Sequence, residues 1–276
     1  MFALSERDTL AFVKSNTPAA HAQTATARDG TGIYYVELGD PARPPVFLGP
    51  HCYASSLEGI QVGDAPAEVT QGWVGVLEDR FRVIVADYPR GLGRTGNPLG
   101  LDYTAAVAVE DFEALLDAAD VERAGFLGYS YGAALGLQAA CRSGRVSALA
   151  MGGWPPLEAP YRRLAEIVTE GATNPPAEIE PALLWSVVGF YGSLVDWPER
   201  DEVPKIDVPR LAYAGTGDEI GWPGPSIAER LRGVEADLRA LGWQTAWIDG
   251  QDHAGAMDPG VAGPMVRDFL EAGLCG

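Results

Sequence analysis

Short apolar runs that end in turn residues recur along the chain. They are "PPVFLGP" (44–50), "FRVIVADYP" (81–89), "RAGFLGYS" (123–130), "VSALAMGGW" (146–154), "PRLAYAGTGD" (209–218) and "QTAWIDG" (244–250). A further run, "GIYYVELGD" (32–40), is β-branched and aromatic between glycines. Runs of this length without polar alternation, flanked by longer segments, predict parallel strands buried on both faces. Helical periods fill the intervals. "DYTAAVAVEDFEALLDAADV" (102–121) opens with Thr104 as a cap, "YGAALGLQAACRSG" covers 131–144, and "SIAERLRGVEADLRALG" (226–242) starts at Ser226 and stops at Gly242. The alternation predicts an α/β fold, with a mostly parallel central sheet of about eight strands flanked by helices.

One segment breaks the rhythm. From Pro155 to about Lys205 no run reads as a strand, but helical stretches surround "YRRLAEIVTEGA" and "PALLWSVVGFYGSLVDW", separated by the breaker "NPPAEIEP". The expected division is a core of residues 1–154 and 206–276 with a helical lid of residues 155–205, inserted after the strand that ends near Trp154. The second stretch carries Trp185, Phe190, Tyr191 and Trp197. Each of these serves equally well as the insertion's own core.

Composition narrows the function classes. A hydrophobic fraction of 47% with 21% charged residues suits a folded globule. The formal net charge of −18 would repel phosphate backbones, and no Lys/Arg cluster offsets it, so nucleic acid is not expected as a partner. Cys52, Cys141 and Cys275 are odd in number and lack metal-ligand spacing, which argues against both a disulfide framework and a metal site. The start, "MFALSERDTLAFVKSN", reads as a short amphipathic helix opening at Ser5 rather than a secretory leader, and no run is long enough to span a membrane. A soluble cytoplasmic protein without membrane contact, monomeric or homodimeric, is the expectation.

Chemistry centres on "GFLGYSYGAALG" (125–136), where Ser130 stands between glycines directly after an apolar run. With 34 Gly among 276 residues, a Gly-x-Ser-x-Gly string arises by chance about 0.15 times per chain, so the motif needs context. A serine that attacks a carbonyl needs a base, an acid group to orient the base, and N–H donors for the oxyanion. Only three histidines are available. His21 lies in the polar stretch "PAAHAQTAT" ahead of the first expected strand and reads as a surface residue, while His51 follows the 44–50 strand, upstream of the serine. His253, in "DGQDHAGAMD", follows the last strand and fits a Ser, Asp, His chain order. For the acid, "GTGDEI" presents Asp218 after the 209–216 strand, with Glu219, Asp249, Asp252 and Glu158 as competitors. Any such Asp could instead be a turn or cap residue.

These residues resemble the α/β-hydrolase superfamily: strand, "GYSYG" elbow and helix, then acid and histidine in that family's order. "DGTGIYYVELGD" resembles its opening hairpin, "DYPRGLGRTGNP" (87–98) its Asp-x-x-Gly-x-Gly-x-Ser/Thr turn, and "VPRLAYAGTGDE" and "GQDHAGAMD" the approaches to its acid and base. The resemblance implies that Ser130 attacks, His253 shuttles the proton and Asp218 holds the imidazole. It also implies oxyanion donors at the backbone N–H groups of Tyr131 and Tyr53. The sequence departs from the family where a His-Gly pair is usual, reading "PHCYASS", and a Cβ at Cys52 disfavours any φ > 0 conformation of that loop. Cys52 as a nucleophile is the alternative to a small buried hydrophobe. Asp87, Arg90 and Arg94 belong to a turn that is mostly structural in the family.

His51, Cys52, Tyr129, Trp154, Trp185, Phe190, Tyr191 and Trp222 form the candidate substrate pocket, because the elbow, the insertion and the loops share one sheet edge. Such a pocket suits a small hydrophobic or aromatic ester or lactone, with no cofactor and no metal. A thioesterase or a carbon–carbon bond hydrolase would use the same three residues. A hydrolase-like protein that binds a ligand or assists a cyclisation without using Ser130 is the reading from a different class.

Overall fold

The structure, a computed structural model, describes residues 21–50, 57, 65–177, 179–220 and 224–275. The apolar runs form strands because backbone pairing lets them bury both faces at once. "RVIVA", for example, is buried from its second residue onward as β4 (Arg82–Ala86). The other strands are β1 (His21–Thr26), β2 (Gly32–Leu38), β3 (Pro45–Leu48), β5 (Ala124–Tyr129), β6 (Val146–Gly152), β7 (Arg210–Gly215) and β8 (Gln244–Ile248). They make one eight-stranded sheet in the order β1-β2-β4-β3-β5-β6-β7-β8. β2 runs antiparallel to both neighbours, and every pairing from β4 to β8 is parallel.

One expectation is corrected at the sheet's start. "HAQTAT" is not a polar approach to the first strand but the strand β1 itself, paired from His21↔Glu37 to Thr26↔Gly32. Ala25 and Ala27 point inward while Thr24 and Thr26 face solvent, so alternation is present. Alanine is too small to mark it as a hydrophobic run. The helix expected from Ser5 lies outside the described residues.

Helices cover both faces. On one face lie α2 (Ala105–Ala118), α3 (Tyr131–Arg142) and α7 (Ile227–Ala240); on the other lie α1 (Ala65–Leu77) and α9 (Pro259–Leu274). Thr104 caps α2 by accepting from the Val107 N–H, and Ala105, Ala108, Val109, Phe112, Leu115 and Leu116 give it one buried stripe. Ser226 and Glu229 close a reciprocal capping box at the start of α7. Phe47, Phe112 and Phe126 meet with ring centroids 5.2–5.4 Å apart, joining β3, α2 and β5.

Between β6 and β7 stand α4 (Tyr161–Thr173), α5 (Pro181–Gly192) and the short α6 (Glu199–Glu202). α4 is amphipathic and buries Tyr161, Leu164, Val168 and Ala172. α5 is apolar nearly all round, as a helix packed on several sides must be. It lies against α4 and against the 3-10 turn Gly100–Asp102, where a Cβ on Gly189 would stand 2.6 Å from the Leu101 carbonyl oxygen. Two serines complete the joint: Ser186 Oγ accepts from the Gly100 N–H (3.0 Å) and Ser193 Oγ from the Ala105 N–H (3.0 Å). Among the described residues, no helix is long and apolar enough to cross a membrane.

Candidate active site

β5 ends at Tyr129 and α3 begins at Tyr131, leaving Ser130 alone in the turn with φ 52° and ψ −112°. A non-glycine residue pays about 1–3 kcal/mol for such a conformation, so the surroundings must enforce it. They do so by proximity. A Cβ on Gly128 would lie 2.2 Å from the Gly132 carbonyl oxygen, and one on Gly132 would lie 2.9 Å from the Pro50 carbonyl oxygen. Only glycines permit the helix to start this close to the strands. The Ser130 N–H donates to the Gly152 carbonyl (2.8 Å), and its own carbonyl accepts from the Ala134 N–H (3.0 Å). These bonds hold the serine at the carboxyl end of the sheet.

The partners arrive from the loops after β7 and β8. The Gly217 N–H donates to the Gln251 carbonyl (2.9 Å), so the two loops are tied together. A Cβ on Gly215 would lie 2.1 Å from that same oxygen, which explains the glycine at the end of β7. Asp252 caps the short helix α8 (His253–Met257) by accepting from the Gly255 N–H, which sets His253 at its first position. Asp218 is fully buried, and its Oδ2 lies 2.7 Å from His253 Nδ1, while Oδ1 accepts from the Ile220 N–H (3.3 Å). With the carboxylate accepting from Nδ1–H, His253 Nε2 is left as the basic nitrogen. Among the described residues, the Ser130 hydroxyl makes no hydrogen bond to His253, a contact that commonly tightens only when substrate is bound.

The competing acids are exposed or engaged elsewhere. Glu219 and Asp249 are exposed, and Asp249 pairs with the Thr216 hydroxyl; Asp252 is the α8 cap; Glu158 pairs with Arg200. Asp87 and Arg90 are buried inside their turn. The Arg94 N–H donates to Asp87, and Arg90 forks onto Asp111 with contacts of 2.8 and 2.6 Å and reaches Asp29 at 2.6 Å.

Tyr131 heads α3, where the positive end of the helix dipole faces the site. His51, Cys52, Tyr53 and Trp222 lie outside the described residues. The remaining aromatics divide by sheet face. Trp154, Phe190 and Tyr191 have at most 4% of their surface exposed; Phe190 and Tyr191 pack on Tyr131 at centroid distances of 4.9 and 6.0 Å and Trp154 packs on Tyr191 at 5.8 Å, so their rings belong to the core around α5. Trp185 is half-buried beside Gly100.

Tyr129 requires a correction. Residues two apart on a strand share a face, and Tyr129 follows Leu127 onto the α9 side, away from the aromatics of the insertion. There its hydroxyl donates to the His253 carbonyl (2.7 Å), and the two rings meet edge to face at 5.0 Å. Burial, and then the charge of Asp218, push the Tyr129 phenol well above its ordinary range, so it remains a donor. Its path runs under Gly152 and Gly153: a Cβ on either would come within 2.5–2.6 Å of the Tyr129 ring. The "GG" of "AMGGW" carried this signal in the sequence. A cavity of about 20 Å³, room for about one water, lies behind the elbow between Tyr129, Tyr213, Gly128 and Trp73.

Comparison with known proteins agrees with this architecture. Residues 46–172 match the model of the alpha/beta hydrolase fold family. Over 116 residues the chain is 32% identical to the Klebsiella pneumoniae protein named "Putative carbamate hydrolase RutD", covering 40% of this chain and 43% of that relative's length. Among solved structures, a hydrolase from Pseudomonas aeruginosa PA01 superposes with a TM-score of 0.67 at 22% identity, over 92% of this chain and 99% of the other. The enol-lactonase from Burkholderia xenovorans LB400 gives a TM-score of 0.64 at 21% identity, over 90% and 99%. The chain has the α/β-hydrolase fold, and it spans less than half the length of the curated relative it matches.

Proposed function

We propose that the protein is a serine hydrolase that cleaves a hydrophobic carboxylic ester or lactone through an acyl-Ser130 intermediate. The observation that carries this reading is the 2.7 Å contact between His253 Nδ1 and the buried Asp218, formed at the sheet edge that also holds the strained Ser130. His253 Nε2 takes the hydroxyl proton as Ser130 Oγ bonds to the substrate carbonyl carbon, and the buried carboxylate stabilises the imidazolium that results. The oxyanion receives the N–H of Tyr131 and, following the superfamily resemblance, that of Tyr53. Collapse of the tetrahedral adduct breaks the carbonyl–oxygen bond to the leaving alkoxy group, which takes the proton from His253. Water then repeats the sequence on the acyl-serine and releases the acid. In a lactone both products remain on one molecule.

The helices α4–α6 act as the lid over this edge. An apolar neutral substrate suits a chain with a net charge of −18, which disfavours anionic groups. The test is steady-state turnover of a panel of aryl and alkyl esters, aromatic lactones, thioesters and carbamates. The wild type hydrolyses an ester or lactone best, and Ser130→Ala and His253→Ala each lower kcat by at least about 10³-fold. Turnover that survives Ser130→Ala contradicts the reading. Preference for a thioester or carbamate revises the substrate alone.

A further inference from the structure

We infer that Tyr129, the residue before the nucleophile, is a positioning residue for the general base; this rests on the assignment of Ser130 and His253 above. The strand dictates the direction of the side chain. Tyr129 is the last residue of β5, and its neighbour Ser130 turns toward the substrate side, so the phenol is sent to the face from which α8 and α9 return. Its hydroxyl meets the carbonyl of His253 itself, not of a neighbouring loop residue, at 2.7 Å. Its ring supports the imidazole edge to face at 5.0 Å and leans on Tyr213 at 5.9 Å.

Three features separate this arrangement from ordinary packing. Gly152 and Gly153 clear the ring's path, and Gly153 does so at φ 60°, with a Cβ position only 2.8 Å from His253 Cε1. The phenol is kept protonated by burial and by Asp218, so it donates to the carbonyl at all working pH values. The bond is also covalently adjacent to the nucleophile: the residue that grips the base is joined to Ser130 by one peptide bond. Nucleophile and base are therefore registered to each other through Tyr129, whereas Asp218 fixes only the far side of the ring. The other bonds that set the loop after β8, such as Gly217 to Gln251, Gly250 to Thr216 and the Asp252 cap, tie it to the loop after β7 or to itself, whereas the Tyr129 bond ties it to β5.

Tyr129→Phe keeps the ring and removes one hydrogen bond. It is tested in the full chain by kcat and KM for p-nitrophenyl acetate, by the second-order rate of labelling with a fluorophosphonate, and by the low-field proton resonance of His253 Nδ1–H. The expected result is a loss of about tenfold in kcat and in labelling rate, with KM changed by no more than about twofold and the melting temperature nearly kept. The low-field resonance broadens or shifts, a change that a role in packing alone would not produce. A variant whose kcat, labelling rate and resonance match the wild type overturns the positioning role while leaving Ser130 and His253 in place. So does a loss of kcat that only follows a large loss of folded protein, with the folded fraction acylating at the wild-type rate. A wild type that neither labels nor turns over ester removes both the catalytic reading and this one.

Discussion

At the scale of single residues, the elbow is a problem of space. The Cβ of any residue at 128 would stand 2.2 Å from a backbone oxygen in α3, and no rotation relieves that contact. Gly128→Ala therefore forces α3 away from β5, at about 1–3 kcal/mol or more, and costs activity as well because Ser130 moves with the helix. Gly171, exposed in α4 with nothing within 4 Å of its Cβ position, is the internal control, and its replacement by Ala should leave stability unchanged or raise it by about 0.5–1 kcal/mol. Urea unfolding of both variants checks the contrast. The strained turn at Ser130 and the pairing of Asp218 with His253 were legible in the sequence because the chain offers few candidates: three histidines, one of them after the last strand. Tyr129 was grouped with the wrong aromatics. Its neighbourhood in sequence is the elbow, but the two-residue period of the strand sends it to the opposite face, a fact that matters only once the strand's end is known.

At the scale of elements, apolar runs buried on both faces were legible as strands, and capped amphipathic stretches such as α2 and α7 were legible as helices. β1 was not, because its buried residue is the small Ala25, on the face it shares with the half-buried Gln23, and hydrophobic signal scales with side-chain size. α5 shows what an element's composition encodes beyond its period. Its Gly189 and Ser186 are neither helix formers nor large apolar residues, yet they are where it meets the 3-10 turn Gly100–Asp102. Gly189→Ala places a methyl group 2.6 Å from a backbone oxygen of that turn and should lift α5, at about 1–3 kcal/mol. Limited proteolysis then cuts sooner within residues 99–105 or 155–205 than in the wild type. Unchanged proteolysis and an unchanged urea midpoint would mean that the joint between α5 and the turn yields without cost.

At the scale of the whole molecule, the fold brings together groups that are 35 and more residues apart in sequence. β5, β7 and β8 are parallel, so their carboxyl ends deliver Ser130, Asp218 and His253 to one edge, which is where open parallel sheets place their sites. Behind that edge, Arg90 fastens the loop after β4 to α2 through Asp111 and to the β1–β2 turn through Asp29. The alternation of strand and helix made this architecture legible from sequence, and the order Ser, Asp, His picked out the candidate residues within it. The lining of the pocket was less legible, because an aromatic in a lid and an aromatic in a core look alike until packing separates them. In the proposed mechanism this edge activates Ser130. That activation is tested most directly by intact mass and peptide mapping after treatment with a fluorophosphonate, with Ser130→Ala and His253→Ala in parallel. The expected result is a single adduct, mapped to Ser130, that both variants lose. No adduct with this reagent or with smaller phosphonylating or sulfonylating ones, or an adduct that persists in Ser130→Ala, would contradict it.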